Sequence, residues 1–131
     1  MRELTNHIVS GDQTVQLKIE VTDEPGAGGA NHRYEISGFS TEFNPSEFRG
    51  SAKLRTDILF QNGPIKKACV NGVTQEALLA IVIDRLRSFQ AGPFACDENG
   101  EALDYCGYAL AALQKRTLAR IARNVEGTTQ K

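Results

Sequence analysis

Residues 74–124 read TQEALLAIVIDRLRSFQAGPFACDENGEALDYCGYALAALQKRTLARIARN, and whether this stretch is one helix or two decides the fold. From Thr74 to about Gln90, Leu79, Val82, Leu86 and Phe89 recur at steps of three and four, the period of an amphipathic helix. Thr74 stands where a cap is needed, and Glu76 lies in the first turn, where the helix dipole favours an acid. Gly92-Pro93 then cuts the pattern, because Pro cannot continue the upstream ladder and Gly accepts positive φ as a helix stop. Near Ala95 the pattern resumes and runs to about Asn124 through Leu103, Cys106, Leu110 and Leu113. Gly100 and Gly107 each weaken this second helix by about 1 kcal/mol relative to Ala, so packing must hold it. With so short a connection, the two helices are expected to form an antiparallel hairpin.

Upstream the period changes from 3.6 to 2. Val15, Leu17, Ile19 and Val21 alternate with Gln16, Lys18, Glu20 and Thr22, the signature of a half-buried strand. DEPGAGGAN (23–31) is turn-rich, and HRYEISGF (32–39) reads as a second strand with Tyr34 and Ile36 on one face. STEFNPSEFRGSAK (40–53) has no sustained period and reads as an irregular loop, with Arg49, Lys53 and Arg55 as cations near a pocket if it folds over one. LRTDILFQ and IKKACV flank Asn62-Gly63-Pro64, which predicts a hairpin and a fourth strand, although Pro64 removes that strand's first donor. The expected fold is α+β: a mainly antiparallel sheet of about four strands, then the helical hairpin. It is read as a single domain over 1–131, with a β part at 1–72, the hairpin at 73–124 and a tail at 125–131.

Composition excludes several classes. Of 131 residues, 40% are hydrophobic and 24% charged, values of a soluble globular chain, so disordered and collagen-like classes drop out. The formal net charge of −1 draws the molecule as a whole to neither nucleic acid nor an anionic membrane. Three cysteines without a C-x-x-C pair argue against a disulfide framework or a structural zinc site and for a reducing compartment. MRELTNHIVSGDQ lacks the apolar core of a signal peptide, so the expectation is soluble and intracellular. GAGGAN lacks the strand-then-helix setting of a phosphate cradle, and His7 and His32 are too sparse for a metal cluster. Cys96 at a helix start has no nearby His to activate it. No catalytic residue, metal or cofactor is expected.

What remains is binding chemistry. The stretch 115–131 carries five basic residues against one acid, Glu126. Arg116, Arg120 and Arg123, at steps of four and three, form one basic face near the helix end. Such cations complement the macrodipole, and guanidinium forks also bind phosphate oxygens bidentately. Phe89 closes the first apolar stripe and reads either as core or as a stacking ring. Asn99 continues the second stripe one turn early, and reads either as an amide closing the turn or as one reading a base or ribose edge. Seventeen residues on one helix place Asn99 and Arg116 about 25 Å apart, too far to share a compact nucleotide. Two antiparallel hairpins would bring the Phe89/Asn99 end of one chain to the Arg116/Arg120 end of the other, making two sites per dimer.

NGPIKKACVNGVTQEALLAIVIDRLRSFQAGPFACDEN (62–99), followed by ALAALQKRTLARIARNVEGT (109–128), resembles the phage Thoeris anti-defence proteins of the first type. Their helical hairpin is shared with the anti-CBASS cyclic-nucleotide sponges. The likeness covers about residues 32 to 128. It implies a protein of the infected host's cytoplasm that sequesters glycocyclic ADP-ribose without cleaving it, as a dimer or hexamer assembled through the hairpin. It also implies that Phe89, Asn99, Arg116 and Arg120 are the pocket residues, and that some members hold cyclic di- or trinucleotides at a separate site. In this chain Arg123, Gly127 and Thr128 are the candidates for that second site. The alternatives are an oligomeric nucleic-acid-binding module, whose affinity would fall steeply with salt, and a scaffold that binds no nucleotide.

Overall fold

The computed structural model describes residues 1–13, 16–48 and 50–129. The chain divides into two compact units, Met1–Asn62 and Gly63–Lys131.

The first unit is a four-stranded antiparallel meander in the order β1 (Arg2–Leu4), β2 (Lys18–Val21), β3 (Arg33–Ser37), β4 (Arg55–Leu59). The expected strand is realised over Lys18–Val21 as β2, with Leu17 just before it, whereas Val15 lies outside the described residues. Register pairs Leu4 with Ile19, Ile19 with Ile36, and Tyr34 with both Val21 and Ile58, so one face carries the apolar side chains. Val21 is its most buried member at 1% exposure, and the Tyr34 and Phe60 rings meet edge to face at 5.6 Å. On the other face Glu3, Glu20, Glu35 and Asp57 fall in one cross-strand row. Like charges directly opposite are destabilising. Arg33 offsets them by bonding Glu35 at 2.9 Å and Asp57 at 3.1 Å, and Lys18 and Arg55 add longer pairs. Arg55 is thus engaged with the sheet's own carboxylates.

The loops of this unit are internally bonded. Asp23 accepts the His32 amide at 2.9 Å, and the Asn31 side chain reaches the Asp23 carbonyl at 2.7 Å. Burial alone would raise the Asp23 pKa, but the His32 and Arg33 amides and the Asn31 side chain outweigh it and hold the carboxyl below its ordinary value. The irregular segment 40–53 is pinned at its ends by Thr41, which exchanges two hydrogen bonds with Lys53. A hydrogen bond to Thr41, and then one to the Phe48 amide, holds Glu47 below the usual carboxylate range. Arg49 lies outside the described residues.

The second unit opens with a correction. IKKACV does not form a strand: Ile65–Ala68 is one turn of helix, α1. Pro64, with φ −70° and ψ 137°, sits at its N-cap, where the missing N–H costs nothing and the carbonyl accepts from Ala68 at 2.8 Å. The fourth strand is instead β1, a three-residue segment too short to show a period.

α2 (Gln75–Gln90) and α3 (Asp97–Ala122) pack as the expected hairpin. The Thr74 hydroxyl accepts the Ala77 amide at 3.1 Å. Thr74→Ala is expected to cost about 1 kcal/mol in urea unfolding, and Thr74→Ser to restore most of it. Within α2 the buried residue is Ile83, between Leu79 and Leu86 on the inward face, whereas Val82 and Phe89 are partly exposed. Leu103, Cys106, Leu110 and Leu113 of α3 are half-buried, as their spacing predicts. The interhelical turn does not use a left-handed Gly92. Ala91 is in the αR region, Gly92 donates to the Phe89 carbonyl at 3.2 Å, and the Gln90 side chain accepts the Cys96 amide at 3.0 Å.

Candidate functional site

The helical hairpin presents two chemically different ends. At the turn, the Cys96 sulfur caps α3 by accepting the Asn99 amide at 3.4 Å. Asn99 is half-buried, and its side-chain amide donates to the Phe94 carbonyl at 3.4 Å. Phe89 is 37% exposed, and the Arg85 guanidinium carbon sits 5.4 Å from its ring centroid. Both expected turn-end residues are therefore at the same end of the hairpin, one on each side of the turn.

Beside them opens a cavity of about 610 Å³. Its walls include Gln90, Asp97, Glu101, Asp104, Tyr105 and Tyr108, and neither Phe89 nor Asn99 is among the lining residues. Three carboxylates in one wall repel a pyrophosphate and attract a cation. Tyr105 and Tyr108 are largely exposed, and the sequence reading missed them. Their signal was present: two large rings at a step of three, off the apolar stripe of α3.

α3 runs without interruption from Asp97 to Ala122, which keeps Arg116 about 25 Å and Arg120 about 32 Å from Asn99. At that far end the three arginines do not share one environment. Arg116 and Arg123 are exposed, but Arg120 is buried at 7%. The chain reverses at Asn124, with φ 59°, and the tail returns along the helix. Arg120 Nε contacts Glu126 at 3.2 Å, and Nη2 donates to the Val125 and Thr128 carbonyls at 3.0 and 3.2 Å. Gly127 accepts the Lys66 amide at 3.2 Å, and both the Thr128 amide and hydroxyl donate to the Val125 carbonyl. The segment 125–128 is a folded strap docked on α1, and the second-site candidates Gly127 and Thr128 belong to it.

Among the described residues no cluster of His, Cys, Asp and Glu is arranged to hold a metal, and no helix is long and apolar enough to cross a membrane.

An α+β chain with a two-helix hairpin of this kind falls into a known class. The family described as Acb2/Tad1, hairpin domain, matches residues 53–118, and the chain belongs to it. Among individual proteins, it is similar to Thoeris anti-defense 1 of Bacillus phage SBSphiJ7, 43% identical over 98 residues, a span covering 75% of this chain and 67% of that relative. The family match contains Phe89, Asn99 and Arg116 and stops short of Arg120 and the strap.

Proposed function

We propose that this protein is a phage anti-defence sponge that binds and sequesters glycocyclic ADP-ribose in the cytoplasm of the infected bacterium, without cleaving it. The observation that carries this reading is the uninterrupted 26-residue α3, which separates a ring-and-amide end from a guanidinium end in a chain of this family. Each end alone is incomplete for a nucleotide. Phe89 would stack on a base and Asn99 would read an edge, while Arg116 and Arg120 would bind the pyrophosphate.

The distribution of charge on α3 supports an antiparallel partner. Asp97, Glu98, Glu101 and Asp104 fill its first turns, and Lys115, Arg116 and Arg120 its last. An antiparallel second copy lays acids against bases and brings unlike ends together, giving two composite sites in a dimer. Larger assemblies and a separate site for cyclic di- or trinucleotides at Arg123, Gly127 and Thr128 belong to the same proposal. The latter requires the strap to give up the Val125 bonds that Thr128 now makes.

A retention assay tests the reading. Purified protein is incubated with glycocyclic ADP-ribose, freed of unbound ligand and heat-denatured, and the supernatant is weighed by mass spectrometry. Intact nucleotide is expected. A cleaved product would mean an enzyme, and no nucleotide would exclude this ligand. Because Arg116 is exposed, Arg116→Ala is expected to weaken retention by about 30-fold, the worth of one charge-assisted phosphate contact of about 2 kcal/mol, with thermal stability unchanged.

A further inference from the structure

Arg120 continues the inward stripe of α3, seven residues beyond Leu113 and three beyond the half-buried Thr117, and this spacing carries a charged side chain inward. A buried guanidinium needs a counter-charge. From Tyr105 to the end of the sequence there is one acid, Glu126, and it is this carboxylate that meets Arg120, at 3.2 Å.

Carboxylate and phosphate oxygens compete for the same fork. We infer that Glu126 is a built-in anion that occupies the phosphate position on Arg120, so that ligand entry displaces it and Glu126 sets the affinity of this end of the site. The inference rests on the sponge reading for the role of Arg120, and on the ion pair for the rest.

The asymmetry of the pair decides which partner moves. The Arg120 side chain is 9% exposed and that of Glu126 39%. Arg120 is also held by the Val125 and Thr128 carbonyls, which stay in place when the carboxylate leaves. Moving Glu126 into water is cheap because it is already partly hydrated, whereas moving Arg120 would break the strap. The paired carboxylate keeps the guanidinium oriented and neutralised. A pyrophosphate brings two adjacent anionic groups against that single carboxylate and outcompetes it; an uncharged nucleoside cannot. Glu126 thereby filters for pyrophosphate-bearing ligands.

The test compares wild type with Glu126→Gln and Glu126→Asp. Two calorimetric probes are used: glycocyclic ADP-ribose, and inorganic pyrophosphate, which has the phosphate chemistry without base or ribose. Thermal unfolding establishes that each variant is folded. Glu126→Gln keeps the shape and removes the charge, and it is expected to bind both probes about tenfold more tightly. Glu126→Asp keeps the competing charge and should stay near wild type, which a merely structural role for the side chain's size would not produce. Equal or weaker pyrophosphate binding by folded Glu126→Gln would overturn the inference, whatever the nucleotide does. If no variant held the nucleotide while Glu126→Gln still outbound wild type for pyrophosphate, the ligand assignment would fall and the competing carboxylate would stand.

Discussion

Gly38→Ala is expected to destabilise the sheet unit by about 3 to 5 kcal/mol, a loss that places it among the most damaging single substitutions. Gly38 follows β3 with φ 90°, a conformation that strains any residue bearing a Cβ by about 1–2 kcal/mol. Strain is the smaller part. A Cβ at this position would lie 2.1 Å from the Gln16 carbonyl oxygen and 2.9 Å from its carbon. These are backbone atoms directly upstream of Leu17 and β2, and they cannot retreat without disturbing the pairing of Lys18 with Ser37. Gly11 provides the control, since it has the same φ of 90° and nothing within 4 Å of the added atom. Gly11→Ala should therefore show the strain alone. Urea unfolding of both variants separates the two contributions, and equal losses would mean that the close approach at Gln16 relaxes freely.

How much of this was legible in the sequence depended on whether a local rule had enough residues to act on. α2 and α3 were legible because each has a long apolar period, with a cap at Thr74 for α2 and the Gly92-Pro93 break between them, and their observed ends fall within two residues of those expected. β2, β3 and β4 were legible from alternation and flanking turns. β1 was not, because Arg2–Leu4 is a strand only by virtue of pairing with Ile19–Val21, a tertiary fact. IKKACV was misread because Asn-Gly outweighed Pro64; yet Pro is well suited to a helix start, and only Ile65 and Val70 of that segment favour a strand. At the site, the Phe89/Asn99 turn followed from punctuation. The inequality of the three arginines did not, because a basic stripe at steps of four and three looks uniform until Arg120 is also counted on the stripe of Leu113. Its partner Glu126 comes near only after the reversal at Asn124, which no periodicity foreshadows.

Arg120→Ala is expected to fail twice, and the two failures can be measured apart. The first is structural. Removing the guanidinium deprives Glu126 of its counter-charge and the Val125 and Thr128 carbonyls of their shared donor. Breaking a fully buried pair costs about 3–5 kcal/mol, and because Glu126 is partly hydrated the loss here should be nearer 2–3 kcal/mol. It should appear in urea unfolding and as faster amide exchange along 125–128, where the strap has lost its anchor. The second failure is in binding, where nucleotide retention should disappear. Exposed Arg116 separates the effects, since its alanine variant should lose affinity at unchanged stability. Arg120→Lys sharpens the comparison, because an ammonium keeps the charge while losing the planar fork that meets Glu126 and two carbonyls at once. It should recover part of the stability and little of the binding. If Arg120→Ala were as stable as wild type, the strap would be held by its α1 contact through Gly127 and Lys66, and the placement of Arg120 at the centre of this end would be wrong. If it were destabilised yet retained nucleotide fully, Arg120 would be a structural anchor alone, and the phosphate would rest on Arg116 and its exposed neighbours.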